Sequence, residues 1–390
     1  MNQTQEHLAF RESVRSFIDR DLEPRYESFI EQRCFAREIW RIAGKAELLG
    51  LGVPEHLGGS GAPDWGYQAI LGEELARFSL AANSCFAIHV DVVAPYLVEL
   101  GTSEQHQRWL PGFCSGELVT AMGMTESAGG TDVAGIKTTA QRASGGWVLN
   151  GSKTFITNGG SADLVVVAAR TTPNARSRGL SLFVVEKGMA GFTVGRKLDK
   201  IGQPESDTAE LFFDDVFVPE ENLLGEENSG FKHMMDRLPQ ERISGAVANL
   251  AHAASILEDT ISYAKERQAF GQSIGSFQGM KFHLAEMATE MEVTQAYVDR
   301  CVDRHVRGEL TAVDAAKAKW WSSDVQGRVL DGCVQVYGGY GYMTEYRVAR
   351  AWRDARVTRI WAGTNEIMKE LVGRNLGFPD VRHAGRAGSE

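Results

Sequence analysis

The sequence predicts an α+β multidomain protein with an N-terminal helical domain, a central β-barrel or sandwich domain and a C-terminal four-helix bundle. Three observations predict it. Apolar residues recur at helical spacing up to about residue 120. Between 121 and 232 they alternate or gather into short β-rich runs. From about 233 helical spacing returns in much longer segments. The expected domains are therefore 1–120, 121–232 and 233–378, with the polar stretch PDVRHAGRAGSE (379–390) as a mobile tail.

In the first region Leu8, Phe10, Val14, Phe17 and Ile18 form a helical stripe. Trp40, Ile42, Leu48 and Leu49 approach another, which Gly50, Gly52 and Pro54 stop. Residues 66–80 and 84–100 give two more, rich in Ala and Leu. GLGVPEHLGG (50–59) contains a GxG, but it follows a helical segment, so a dinucleotide-binding reading is set aside. In the second region KTTAQRA alternates, WVLNGSKTFI reads as a hairpin around Asn150-Gly151, and LVVVAAR, LSLFVVE and ELFFDDVFV are further strands. In the third, Leu250, Ala253, Ala254, Leu257, Ile261 and Ala264 share one helix face. Met280, Leu284, Met287, Met291, Thr294, Val298 and Val302 share another. Segments 312–336 and 364–376 complete the bundle, and these stripes are read as core packing.

Composition narrows the function classes. The 390 residues are 43% hydrophobic and 24% charged, as in an ordinary globular chain. The net charge of −10 argues against a nucleic-acid surface. No apolar stretch is read as long enough to span a bilayer, and the N-terminus does not read as a secretory signal. Five scattered cysteines without a CxxC pair suggest reduced thiols and a cytoplasmic location, and they offer no metal site. Asn150-Gly151-Ser152 matches a glycosylation acceptor and is read as a turn.

Five segments carry candidate chemistry. MTESAGGTD (124–132) sets hydroxyls on Thr125, Ser127 and Thr131 around Gly129-Gly130, which suits a flat or phosphorylated ligand or a flexible turn. NGSKTFITNG (150–159) brings Phe155 and Thr157 to one end, against a ring system or as a surface hairpin. ERQAFG (266–271), with Phe277-Gln278 beyond, puts an arginine beside an aromatic, for a pyrophosphate or as a capped loop. QVYGGYGY (335–342) offers bare backbone at Gly338-Gly339, for a phosphate or ribityl chain or as a helix C-cap. In IWAGTNEIMKEL (360–371) Gly363 precedes Thr364, a good N-cap, with Glu366 in the first turn.

The order and spacing of these five segments resemble the acyl-CoA dehydrogenase family over nearly the whole chain. The resemblance implies a homotetramer with FAD held partly by a neighbouring subunit. Met122, Met124, Thr125, Thr131, Phe155 and Thr157 would hold the flavin ring and ribityl chain, and Thr364 and Glu366 would close the flavin site. Arg267, Phe270, Gln278, Gln335, Gly338 and Gly339 would come from the partner subunit and hold the pyrophosphate and adenosine end. Thr131, Arg242 and Gly363 would border the acyl-CoA substrate. The implied reaction takes the α-proton of a saturated acyl thioester with a carboxylate, while the β-hydrogen leaves as hydride to the flavin. The thioester carbonyl would be polarised by a backbone N–H in 360–366 and by the cofactor. An electron-transferring flavoprotein would accept the electrons.

One departure matters. Many family members carry the base immediately before the Gly-Thr of the fifth segment, where this chain has Ala362. In the branch that resembles the long-chain and isovaleryl-type enzymes, the glutamate stands on the first bundle helix. RLPQERI (237–243) offers Glu241 there. Local chemistry also allows a structural role, since Pro239 suits a helix start, an acid is favoured in a first turn, and Arg237 and Arg242 are at hand. With the resemblance and Ala362 in view, Glu241 is expected to be the base, with burial outweighing the helix dipole in setting its pKa. The alternatives are an oxidase or flavin monooxygenase on the same scaffold, or a non-catalytic acyl-CoA- or flavin-binding subunit. Ser244, Gly245, Ala246 and Ala248 leave room for an acyl chain or pack tightly. The arginines at 347, 350, 353, 356 and 359 are read as interface or solvent charge.

Overall fold

The computed structural model describes residues 3–378. The expected tail, 379–390, lies outside the described residues.

The N-terminal part is helical: α1 (Gln5–Phe17), α2 (Tyr26–Gln32), α3 (Arg37–Lys45), α4 (Gly66–Phe78), α5 (Leu80–Ala87), α6 (Ala94–Leu100) and α7 (Ser103–Ser115). Val14, Phe17 and Ile18 of the expected first stripe are buried with Trp40, Leu48, Leu49 and Phe86 in one core, where Trp40 stacks on Phe86 at 4.8 Å. From α5 to α6 the chain stays helical through a π-helical stretch, Ile88–Val93. Here the expectation about membranes is corrected. Leu80–Leu100, 21 residues with mean hydropathy 1.3, is long and apolar enough to cross a membrane by length and composition. About 67% of that window is buried inside the fold. Asp91, in its middle, accepts hydrogen bonds from Trp65 Nε1 at 3.1 Å and Ser244 Oγ at 2.7 Å. Those bonds are what a core helix needs for a buried carboxylate.

The central part is one eight-stranded mixed sheet: β1 (Thr120–Gly123), β2 (Thr139–Ala143), β3 (Gly146–Thr157), β4 (Leu164–Arg170), β5 (Leu180–Glu186), β6 (Phe192–Lys197), β7 (Thr208–Pro219) and β8 (Leu223–Leu224). The order is β6-β7-β3-β2-β4-β5-β8, with β1 parallel to β4. β4 and β5 read as unbroken apolar runs because both their faces are covered. Leu164, Val166 and Ala168 face the helical core around Tyr96 and Trp109. Val165, Val167 and Ala169 face the sheet's own core with Trp147, Phe183 and Leu211. Trp147 of β3 meets Phe183 of β5 edge-on at 5.4 Å although two strands lie between them, so the sheet curls over that core.

The expected hairpin at Asn150-Gly151 is not formed. β3 runs straight through it, and the turn to β2 is at Ser144-Gly145. The pairing of β3 with β7 is continuous, and the Asn-Gly pair is absorbed at a register shift opposite Asp215, whose φ is 48°. Asn150 and Asp215 exchange two hydrogen bonds at 2.9 and 3.0 Å across the shift.

The C-terminal part holds α8 (Gly230–Glu266), α9 (Gln278–Val306), α10 (Ala312–Tyr337), α11 (Arg347–Ala355) and α12 (Asn365–Asn375). A two-residue hairpin, β9 (Gln268–Ala269) and β10 (Gln272–Ser273), joins α8 to α9. The expected stripes form the core: Leu250, Ala253, Leu257, Met287, Met291, Val298 and Val302 are buried together. α11 was not anticipated. It carries Arg347, Arg350 and Arg353 of the arginine series, with Arg356, exposed, and Arg359 in the 3-10 turn that follows; the reading as solvent charge is corrected for the three that pair within the chain. Arg347 pairs with Asp259 at 2.8 Å, Arg350 with Glu27 at 3.0 Å and Arg359 with Asp324 at 3.2 Å, so these arginines tie the bundle to itself and to α2.

Candidate functional site

The site is assembled where α8 crosses α6 and the loop before α12. Glu241 is the pivot. α8 begins at Gly230, so Pro239 lies inside the helix and Glu241 lies three turns in. The helix-start reading of both residues is thereby corrected, and with it the dipole argument, which acts only within the first turn. Pro239 removes a helical donor to the Met235 carbonyl. Burial of Met234 and Arg237 on the same stretch holds the helix together there.

Glu241 is half-buried and accepts a hydrogen bond from Tyr96 Oη at 3.3 Å. Loss of water around the carboxylate pushes its pKa up to about 7. The Tyr96 hydroxyl and the charges of Arg242 and Arg237 oppose that rise without cancelling it. Neither arginine is spent on Glu241. Arg237 pairs with Glu99 at 2.6 Å and lies over the Tyr96 ring at 5.1 Å. Arg242, buried, points Nε toward the Ala362 carbonyl at 3.5 Å. Burial also lowers the pKa of Arg242, against the raising effect of Glu241.

The 362–364 loop is held in an unusual shape. Ala362 has φ 51° and Gly363 φ 88°, a left-handed pair that costs a non-glycine residue at 362 about 1 kcal/mol. Lys319 of α10, buried, donates from Nζ to the Gly363 carbonyl at 2.7 Å and to Asn365 Oδ1 at 3.1 Å. Thr364 caps α12, accepting the Ile367 N–H at 3.4 Å, and Glu366 lies exposed in the first turn. The pKa of Glu366 falls because its own backbone N–H and Thr364 bond the charged form.

On the sheet side, Met122 of β1 is buried in the same core as Tyr96, with Met124 packed against that core. Thr125 is half-buried and Ser127 to Thr131 are exposed; a Cβ at Gly129 would meet no atom within 4 Å. Under this loop Lys153 and Glu126 form a buried ion pair at 2.8 Å. Glu126 also accepts the N–H groups of Lys137 and Thr138 at 2.7 and 2.9 Å. In β3, three steps from Lys153 to Ile156 face two steps on β7, so the strand carries an extra residue. Phe155 sits in that bulge at φ 59° and is 68% exposed. A bulge re-aims a side chain, and a large aromatic in a left-handed position marks strain kept for a purpose. Thr157 ends the strand, half-buried.

The third and fourth segments form a separate group at the far end of α8. Phe270 and Gly271, φ 52° and 80°, are the two central residues of the β9–β10 turn. A turn of this kind favours Asn-Gly, yet here Phe270 stands 96% exposed at its tip. Arg267, exposed, lies over the Tyr340 ring at 5.6 Å. Gln278, Gln335, Gly338 and Gly339 are exposed, and the two glycines meet nothing within 4 Å where a Cβ would stand. Between Glu241 and Glu266 α8 rises about 38 Å.

These residues fit a flavin dinucleotide. An exposed aromatic, hydroxyls and bare backbone suit a flat ring and its polyol chain. An arginine, amides and open glycines suit its pyrophosphate and adenosine. Two residues that meet Glu241 or its neighbouring loop escaped sequence reasoning. Tyr96 lies in an apolar helix with no local motif, and Lys319 resembles any helical lysine until the fold buries it.

Comparison with known proteins agrees with this geometry. Family descriptions match three consecutive stretches: "Acyl-CoA dehydrogenase, N-terminal domain" at residues 4–117, "middle domain" at 121–216 and "C-terminal domain" at 228–377. The mitochondrial long-chain specific acyl-CoA dehydrogenase of Mus musculus is 45% identical over 373 residues, 95% of this chain and 86% of that protein. The crystal structure of an acyl-CoA dehydrogenase from Geobacillus kaustophilus superposes with a TM-score of 0.95 at 43% identity, covering 96% of this chain and 99% of that one. A chain in a structure described as the electron transferring flavoprotein of Acidaminococcus fermentans gives 0.92 at 37%, over 96% and 99%. The helical, sheet and bundle parts each match in order and the polar groups suit FAD: the chain belongs to the acyl-CoA dehydrogenase family, whose members are FAD-dependent oxidoreductases acting on CH–CH groups.

Proposed function

We propose that this acyl-CoA dehydrogenase oxidises long-chain saturated acyl-CoA thioesters to their trans-2-enoyl products, with Glu241 as the base. One observation carries the proposal: a carboxylate with its pKa near neutrality stands beside Arg242, which reaches the Ala362 carbonyl of the loop before α12. A base works best when its pKa is close to the working pH. The 45% identity to a long-chain specific enzyme supports the substrate class.

Bound FAD supplies the acceptor for the substrate's β-hydride. The chain's own residues do the rest. Glu241 takes the α-proton onto its carboxylate. The Tyr96 hydroxyl keeps that carboxylate partly ionised and oriented. A backbone N–H of the 360–366 segment donates to the thioester carbonyl, which gains enolate-like charge as the proton leaves. Lys319 fixes the loop through the Gly363 carbonyl, so the donor is aligned before substrate arrives. Arg242, Gly363 and Thr131 border the thioester.

Met122, Met124, Thr125, Thr131, Phe155 and Thr157 hold the flavin ring and ribityl end, and Thr364 and Glu366 close that site. Arg267, Phe270, Gln278, Gln335, Gly338 and Gly339 hold the pyrophosphate and adenosine of a neighbouring subunit's cofactor. The second group lies at the far end of α8, about 38 Å along the helix from Glu241, which supports this division. Exposed Phe270, Phe282, Val293 and Trp321 add support for a homotetramer, since apolar groups in such number mark association surfaces. Five free cysteines support a cytoplasmic location. The similarity to a chain in an electron transferring flavoprotein structure supports such a flavoprotein as the acceptor.

Anaerobic titration of the flavin absorbance with a panel of saturated acyl-CoAs tests the function. Long-chain thioesters are expected to bleach the flavin fully, and the reduced protein should be reoxidised faster by an electron-transferring flavoprotein than by air. No bleaching by any acyl-CoA would overturn the proposal.

A further inference from the structure

We propose that Asp91 positions the Glu241 carboxylate, by locking the part of α8 that carries it to the helical stretch that carries Tyr96. This rests on the reading of Glu241 as base.

Both helices are weakened where they meet. Pro239 interrupts the hydrogen bonding of α8 two residues before Glu241. Pro95, with no N–H, cannot bond the Asp91 carbonyl four residues back, where the π-helical stretch Ile88–Val93 passes into α6. A helix bends at such breaks unless its neighbours hold it. Here two side chains one turn apart on α8 do so. Gln240 donates from Nε2 to the Asp91 carbonyl at 3.0 Å, and Ser244 donates from Oγ to the Asp91 carboxylate at 2.7 Å. Glu241 lies between these two residues, and Tyr96 lies five residues after Asp91.

Trp65 anchors Asp91 from the other side. It donates from Nε1 to the second carboxylate oxygen at 3.1 Å. Its ring meets His305 of α9 edge-on at 5.0 Å, and His305 Nε2 lies 3.2 Å from Gln240 Oε1. Asp91, Trp65, His305 and Gln240 thus close a ring beside the base. Burial lowers the pKa of His305, which favours its neutral form. Packing alone does not call for an acid at this place, since Asp91 is 2% exposed and both side-chain donors are neutral. Burial pushes the Asp91 pKa up to about 6, against the bonds from Ser244 and Trp65. Ionised at neutral pH, it accepts one donor on each oxygen, which leucine or asparagine does not reproduce. Asp91 acts on Glu241 through position rather than charge: burial, Tyr96, Arg242 and Arg237 set the Glu241 pKa. The Tyr96–Glu241 bond is long, 3.3 Å, so a small slip between the two helices breaks it.

The test uses the holoenzyme and Asp91→Asn, which keeps the shape and offers one oxygen to two donors. The titration of Glu241 is read without chemistry, as the pH dependence of the stability difference between proteins with and without Glu241→Gln. Asp91→Asn is expected to move that midpoint up from about 7 by about 0.5 of a unit, and the acid limb of flavin reduction with it. The plateau rate should fall about ten-fold while the Kd for a 2-enoyl-CoA product stays constant. With Tyr96→Phe already present, Asp91→Asn should move neither the midpoint nor the limb further, because the hydroxyl it aligns is gone. A Glu241 midpoint that stays at its wild-type pH, or a full shift that persists beside Tyr96→Phe, overturns the proposal. If Asp91→Asn does not fold, Ser244→Ala decides: it removes one of the two ties and should shift the midpoint in the same direction. The two readings fail separately. Rapid bleaching in Glu241→Gln removes Glu241 as base, whereas an unmoved midpoint removes only the role of Asp91.

Discussion

Tyr96→Phe removes one hydroxyl from the Glu241 carboxylate and keeps the ring that packs with Met122 and under Arg237. The hydroxyl donates to the ionised form, so it holds the pKa of Glu241 below the value burial alone would set. The bond is long, 3.3 Å, and is worth about 1 kcal/mol. Its loss raises the pKa by about 0.7 of a unit above its present value near 7. A base must be ionised to act. The acid limb of flavin reduction therefore moves to higher pH by the same amount. Well below the limb the variant should be about five-fold slower than wild type, and on the alkaline plateau the two should converge. Burial keeps the Tyr96 hydroxyl protonated across this range. The assay is anaerobic stopped-flow reduction of the flavin by one acyl-CoA across the pH range. A limb that does not move, or a loss of equal size at every pH, would refute the reasoning.

Other outcomes follow from the same structure. Because burial raises the folded-state pKa of Glu241 from 4.5 to about 7, the folded chain binds this proton more tightly than the unfolded one. Its stabilising effect is complete below about pH 4.5 and is lost as pH rises through about 7. Glu241→Gln should therefore be more stable than wild type by up to about 3 kcal/mol above that window and equal to it at the acid end, read from urea midpoints; a flat difference would contradict this. Lys153→Met leaves Glu126 buried without its cation and should cost about 3 kcal/mol in urea unfolding, with weaker flavin retention on gel filtration. Phe155→Gly removes the left-handed strain of the bulge, so the apoprotein should unfold no more easily while flavin dissociates faster. Ala362→Glu combined with Glu241→Gln should recover part of the bleaching rate lost in Glu241→Gln alone.

How much of this was legible depends on range. The stripes at 250–264 and 280–302 became α8 and α9 because one apolar face repeats at helical spacing over many turns. The runs at 164–170 and 180–186 became β4 and β5 because their residues suit burial on both faces. For Glu241 the sequence offered a candidate position, through the pairing of LPQER with Ala362, but not its environment. Pro239 signals a helix start locally, and only the packing of Met234 and Arg237 shows that the helix is already under way. Asn150-Gly151 carries a hairpin signal that a twelve-residue strand overrides, since β3 pairs with β7 along its length. Tyr96 lies 145 residues from Glu241 and Lys319 lies 44 from Gly363. Contacts at such separations leave no trace in a single sequence. Likewise Arg347, Arg350 and Arg359 look like solvent charge until Asp259, Glu27 and Asp324 are brought beside them.

The central claim is that the carboxylate at position 241 removes the substrate's α-proton. Glu241→Gln keeps the shape of the side chain and abolishes its basicity. Mixed anaerobically with hexadecanoyl-CoA, the variant is expected to bind the thioester and retain FAD while its flavin stays oxidised. Bleaching at the wild-type rate would assign the proton to another group.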